Sequence, residues 1–164
     1  MHNECIFSKD RKYRYTLHHI WEESKPMAAF IGLNPSTADE NQLDPTLRRI
    51  KGFASGWGFG SFTMLNLFAF RATDPRVMKA QFEPIGPDNN KHILDVCSTA
   101  GIIIACWGTH GSFLKRSKKV MKLLEENSVI PKYLQMTKAG EPSHPLYLKK
   151  DLTPKEFVEK SNAS

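Results

Sequence analysis

The chain has 164 residues and a net charge of +6, with 40% hydrophobic and 24% charged residues. Such a composition can bury a core, and it excludes a disordered tail, a collagen-like fibre and a disulfide miniprotein. No apolar run reaches the roughly 18–20 residues of a membrane span. The start, Met1-His2-Asn3-Glu4-Cys5, lacks the basic and apolar stretches of a secretory signal. Cys5, Cys97 and Cys106 are an odd number without CxxC spacing. That disfavours a disulfide framework, a zinc ribbon and an iron–sulfur cluster, and it predicts a cytoplasmic protein with no metal and no cofactor.

Residues 13–21, YRYTLHHIW, alternate, with Tyr13, Tyr15, Leu17, His19 and Trp21 on one face. This predicts a half-buried strand at a sheet edge or in a hairpin. Residues 27–33, MAAFIGL, read as a strand buried on both faces. It leaves through Gly32-Leu33-Asn34-Pro35-Ser36, where Gly32 allows close approach and Pro35 biases Asn34 toward an extended backbone. The Asn34 amide can then hold a water or a carbonyl, or the segment is only a turn. Leu47, Ile50 and Ala54 have helical spacing over 46–56, with Asp44 or Thr46 as cap and Gly56 as stop. Arg48 and Arg49 leave such a helix ~100° apart, so at least one is exposed or meets an anion.

Residues 62–70, FTMLNLFAF, read as a second apolar strand carrying Asn66 and followed by Arg71. A buried Asn66 must satisfy both ends of its amide, by tying backbone together or by facing a cleft. Arg71 could reach a phosphate or a carboxylate. Pro84, Gly86 and Pro87 precede a predicted helix over 88–99, with Asp88 as a cap. Residues 101–107, GIIIACW, read as a third buried strand holding Cys106 as an inert core thiol. Trp107 and His110 then flank Gly108 and Gly111, a turn that can cradle phosphate but lacks Walker spacing. A helix over 113–127 capped by Ser112 and a strand over 129–136 follow. Pro142 and Pro145 hold Ser143-His144 rigid, which suits hydrogen bonding or acid–base chemistry. Thr153-Pro154-Lys155-Glu156 is a capping box that predicts a short final helix.

Apolar strands alternating with amphipathic helices predict an α/β fold, one domain over 1–164. It would be a three-layer α/β/α sandwich around a mostly parallel four-stranded sheet. Ligands of such sheets bind at the carboxyl ends of the strands, where Asn34, Asn66, Arg71, Trp107, His110 and His144 fall. Residues 1–111 carry 12 basic against 11 acidic side chains, a net +1, whereas 112–160 carry 11 against 6, a net +5. Lys115, Arg116, Lys118 and Lys119, with Arg48 and Arg49, therefore read as a nucleic-acid surface, the alternative being a solvated helix face.

The runs GLNPSTAD (32–39), DPTLRR (44–49), NLFAFRATDP (66–75), WG-x-HG (107–111) and HPLYL (144–148) stand in one order. That order resembles a family of uncharacterised bacterial and phage proteins. It is similar, more distantly, to the uracil-DNA glycosylase superfamily, whose strand ends carry comparable Asn-Pro, Asn-containing and His-Pro motifs. The resemblance implies a glycosylase-like fold and a partner that is DNA or a nucleotide. It implies that Asn34 holds the attacking water, Asn66 reads the base edge and His144 donates to the base oxygen. Gly32, Pro35, Ser36, Arg71, Trp107 and His110 would complete the substrate site. Ser36 stands where the similar motif has Gly, and Leu146 where it has Ser. Phe53, Trp57 and Phe59 are candidates for an aromatic that stacks on the base. The reading is of an enzyme hydrolysing an N-glycosidic bond, or carrying out a related base modification. The alternative is a non-catalytic nucleotide- or nucleic-acid-binding module.

Overall fold

The computed structural model describes residues 3–36, 41 and 43–158. The elements run β1 (Asn3–Phe7), β2 (Arg14–Ile20), β3 (Met27–Gly32), α1 (Pro45–Gly56), β4 (Ser61–Asn66), α2 (Pro75–Lys79) and α3 (Asn89–Cys97). They continue with β5 (Ile102–Ala105), a 3-10 segment (Thr109–Lys115), α4 (Arg116–Glu126), β6 (Lys132–Tyr133) and β7 (Lys155–Glu156). Residues 37–39 of the GLNPSTAD run lie outside the described residues.

The expectation of a four-stranded, mostly parallel, glycosylase-like sheet is overturned. The strands form one seven-stranded mixed sheet in the order β1-β2-β4-β3-β5-β6-β7. The pairs β1/β2, β2/β4 and β6/β7 are antiparallel, and β4/β3, β3/β5 and β5/β6 are parallel. Three features account for the difference. The alternation over 13–21 predicts a half-buried strand at a sheet edge or in a hairpin; β2 does form an antiparallel hairpin with β1, but it also pairs with β4, so it lies inside the sheet with five of its seven residues buried. β1, NECIF, is too short and mixed to announce itself. The expected final helix is instead β7, which pairs with β6, and Lys155 Nζ donates to the Leu134 carbonyl at 2.6 Å. A capping box is a local preference that sheet pairing can outweigh.

The apolar strands explain where the core sits. Alternate residues of β3, β4 and β5 point to opposite faces. On one face Ala28, Phe30, Phe62, Met64 and Ile104 meet Leu47, Ile50, Phe53 and Ala54 of α1. On the other, Ala29, Ile31, Leu65, Ile103 and Ala105 meet Ile93 and Cys97 of α3 and Val120 and Leu124 of α4. Each large side chain fully buried there contributes on the order of 1.5–3 kcal/mol. Asp44 caps α1 by accepting from the Leu47 N–H at 2.8 Å, with Pro45 at the first helical position. Asp88 precedes α3 without a capping hydrogen bond from its side chain.

Two assignments from the basic last third are changed by packing. Ser112 does not start α4. Leu114 and Lys115 both adopt left-handed backbone, φ 56° and 55°, and break the chain just before Arg116. Arg116, expected on a nucleic-acid surface, is 3% exposed. Its Nε donates to the Leu67 carbonyl at 2.8 Å and its Nη2 to Asn90 Oδ1 at 2.6 Å. Burial pushes its pKa down to about 10, so it is still a cation at neutral pH. From α3, Asn89 Nδ2 donates to the Asn66 and Leu67 carbonyls at 2.9 and 3.1 Å. These side chains occupy carbonyls that a longer β4 would have offered to a neighbouring strand, and β4 ends at Asn66 rather than at residue 70.

Replacing Arg116 by Ala removes the shorter of the two hydrogen bonds to the Leu67 carbonyl and the donor to Asn90 Oδ1. Urea unfolding should show a loss of about 1–3 kcal/mol, whereas Lys118→Ala, at an exposed site, should stay within about 0.5 kcal/mol. Equal, small effects of the two would remove Arg116 from the framework.

Candidate functional site

The loops leaving β3, β4 and β5 open around one cleft of about 900 Å³. Its walls are Gly32–Ser36, Asp44–Leu47, Ala72–Thr73, Trp107–His110 and Ser143–His144 with Leu146–Leu148; Arg14, Met64 and Asn66 also reach it. Of the residues expected to share a site, Gly32, Asn34, Pro35, Ser36, Asn66, Trp107, His110 and His144 therefore meet.

Asn66 is the most demanding of them. It is 1% exposed, and neither its Nδ2 nor its Oδ1 has a hydrogen-bond partner among the described residues. An unmatched buried polar group costs roughly 1–3 kcal/mol. Gly32, paired with Asn66 across the parallel ladder, makes room for this amide. A Cβ at position 32 would collide with Met64 Cε and stand 3.0 Å from Asn66 Oδ1.

Asn34 is fixed by its neighbours. Its Nδ2 donates to the Ala72 carbonyl at 2.8 Å and to the Pro35 carbonyl at 3.3 Å. The amide orientation is thereby set, and Oδ1 is the end that can accept from a water. Ser36 Oγ donates to Asp44 Oδ2 at 2.6 Å, so the Asn-Pro-Ser turn is tied to the start of α1. Trp107 is 2% exposed and its Nε1 donates to Glu141 Oε2 at 2.6 Å, which makes it a wall rather than a donor to a ligand. Ser117 Oγ donates to the other Glu141 oxygen at 2.9 Å, holding the late loop against α4. At the rim, Lys79 Nζ donates to His110 Nδ1 at 2.7 Å.

His144 stands at the mouth, its outer side exposed. The Leu146 N–H donates to Nδ1 at 3.3 Å, so the neutral ring carries its proton on Nε2 and presents a donor there. The surrounding protein desolvates the imidazole and lowers its pKa below the ordinary value, while the Asp44 carboxylate opposes that shift. Local signals pointed to these residues, but not to Arg14. Arg14 is 2% exposed at the cleft, and burial pushes its pKa down to about 10 with Asp44 again opposing. In the alternating run Arg14 falls on the face with Thr16 and His18, opposite Tyr13, Tyr15 and Leu17, which reads as a solvent side and gives no signal of burial at a cleft.

Several expected site residues lie elsewhere. Arg71 turns away from the cleft, its guanidinium 4.7 Å from the Phe7 ring centroid and its Nη1 donating to the Arg11 carbonyl at 3.3 Å. Arg48 and Arg49 line a neighbouring pocket. Lys115, Lys118 and Lys119 are exposed but do not border the cleft. Phe53 is buried in the core, Trp57 stacks on Phe30 with centroids 6.0 Å apart, and Phe59 borders a different pocket. The aromatic residues on the cleft are Trp107 and Tyr147, the latter 93% exposed at the rim. Burial pushes the Cys97 and Cys106 thiols up to about 12, which leaves them no nucleophilic role near neutral pH. Among the described residues, no three His, Cys, Asp or Glu side chains gather as a metal site requires, and no helix is long and apolar enough to cross a membrane.

A family model described as "protein of unknown function (DUF1643)" matches residues 14–146, and the chain belongs to that family. No curated protein and no solved structure matches it.

The His144 environment makes a pH prediction. A lowered pKa means that the neutral ring, with Nδ1 accepting from the Leu146 N–H, persists below pH 6.5 and is lost only as pH falls through the shifted value, whereas the Nε2–H survives protonation. Asp44→Asn removes the opposing carboxylate while keeping a helix cap, so it should lower the His144 pKa further. An NMR titration of the ring protons, with the tautomer read from nitrogen shifts, tests both; a pKa above 6.5 or an Nδ1–H tautomer would contradict this environment.

Proposed function

We propose that this member of the family is a nucleobase-directed enzyme that hydrolyses an N-glycosidic bond in DNA, on a base that is modified or not. The observation that carries the reading is Asn66: a buried amide on the cleft with an unmatched donor and an unmatched acceptor. A base edge that places a carbonyl beside a ring N–H supplies both partners at once. Matching them recovers the desolvation cost of the amide and discriminates against bases with another edge.

The neighbouring groups suit the chemistry. Asn34 Oδ1 can orient a water, because the other end of its amide is spent on carbonyls. The water oxygen bonds to the sugar carbon, the C–N bonding pair leaves with the base, and the water's proton passes through solvent to the base nitrogen. Negative charge that builds on a base oxygen meets the Nε2–H of neutral His144. Tyr147 offers an exposed ring at the rim for stacking. The resemblance of the strand-end motifs to those of uracil-DNA glycosylases, read from the sequence alone, is in keeping with this reading, and the sheet gives it no support. The exposed Lys115, Lys118 and Lys119 suit a polyanionic partner. One observation favours a second reading, a non-catalytic base-binding module: Asn34 is hydrogen-bonded as a purely structural turn residue would be.

Single-turnover rates beside equilibrium binding, on DNA carrying different bases, separate the two. A donor used mainly in the transition state affects turnover more than affinity. His144→Ala should lose about 10²–10³ in rate with little change in binding, and His144→Gln should retain more. Asn66→Ala should weaken binding and relax the choice of base. Binding without turnover in the wild type would select the module; no dependence of binding on Asn66 would end both readings.

A further inference from the structure

Next to the cleft, α1 carries a second concavity of about 300 Å³, lined by Arg48, Arg49, Gly52, Phe53 and Lys150. Three cations border it and no carboxylate does. Among the described residues none of the three enters an ion pair. The arginines are held in place from behind. Arg48 Nη1 donates to the Leu43 carbonyl at 2.7 Å, and the Arg49 guanidinium lies over the Phe53 ring, 5.2 Å from its centroid. Arg49 Nε is buried and has no acceptor among the described residues. Converging like charges repel, and a bound anion relieves that repulsion. Two guanidinium forks and an ammonium match the oxygens of a phosphate group, with several charge-assisted hydrogen bonds available at once.

The pocket adjoins the proposed base site along the chain in two places. Asp44–Leu47 line the cleft and Arg48, Arg49 and Gly52 continue the same helix. At 1.5 Å of rise per residue, the pocket begins within about one turn of the cleft. Leu148 lines the cleft and Lys150 follows two residues later. We propose that this pocket is a phosphate subsite, taking the phosphate ester of the nucleotide whose base enters the cleft. The anion site stands on its own geometry; its link to a nucleotide rests on the base-directed reading above.

Gly52 supplies the test. It is exposed, and a Cβ there meets nothing within 4 Å. Glutamate is also a stronger helix former than glycine. Gly52→Glu should therefore fold and place a carboxylate among the three cations. Calorimetry with inorganic pyrophosphate is the first measurement. Gly52→Glu and Arg49→Gln should each weaken binding at least tenfold, Gly52→Gln should weaken it less than Gly52→Glu, and Lys118→Ala should leave it unchanged. Equal pyrophosphate affinity in the wild type, Gly52→Glu and Arg49→Gln would overturn the anion site. The second measurement compares a nucleoside with its 5′-phosphorylated form. The phosphate should tighten binding in the wild type and not in Gly52→Glu; no tightening in the wild type would overturn the link to the cleft. Arg49-dependent pyrophosphate binding with no nucleoside binding would uphold the anion site and reject the base reading.

Discussion

The carbonyls of Asn66 and Leu67 are the point on which the architecture of the cleft depends. Side chains from two helices capture them: Asn89 from α3 and Arg116 from the first position of α4. Backbone carbonyls buried in a sheet must be paired, and these are paired across the fold instead of along a ladder. The consequence is that β4 stops at Asn66 and the chain turns, with the Leu67 and Phe68 N–H groups donating to the Gly32 and Leu33 carbonyls. Gly32 and Asn66 thus end their strands side by side, and the cleft opens where both backbones leave the sheet.

The same arrangement explains how Asn66 can be buried without partners. The framework at the strand end, made by the buried Arg116 cation and the buried Asn89 amide, engages backbone carbonyls and makes no use of the Asn66 side chain. Local cost concentrated on a well-supported residue is typical of sites built for recognition. Around it the polar groups are oriented in advance. The Asn34 amide is locked on carbonyls, Glu141 ties Trp107 to Ser117, and the Leu146 N–H sets the tautomer of His144. Side chains held this way lose little entropy when a ligand arrives.

Charge is distributed with equal economy of position. Arg14 is sunk into the cleft, while Arg48, Arg49 and Lys150 gather in the pocket beside it. Lys118 and Lys119 remain on the solvent side of α4, whose buried side faces the sheet through Val120 and Leu124. Positive charge therefore lies in several settings, among them the cleft, the adjoining pocket, the buried framework through Arg116 and the exposed face of α4. A count of basic residues along the chain blends these into one number.

Much of the element layout was legible in the sequence, because it follows from local physics. Continuous apolar runs mark β3, β4 and β5, helical spacing after Asp44-Pro45 marks α1, and the break at Pro84, Gly86 and Pro87 marks the approach to α3. The turn chemistry around Asn34 and His144 also identified residues that share the cleft. What the sequence could not state is which distant groups meet. The number and order of strands depend on edges finding partners: β1 joins β2, and β7 joins β6 where a capping box favoured helix. Whether an arginine serves a surface or a framework depends on whether a buried carbonyl lies within its reach, which separates Arg116 from Lys118 although they are two residues apart. Periodicity and turn propensity determine each segment's backbone and its buried side. Strand pairing, the capture of the Leu67 carbonyl and the isolation of the Asn66 amide arise from contacts between residues far apart in the chain, and those the tertiary structure alone decided.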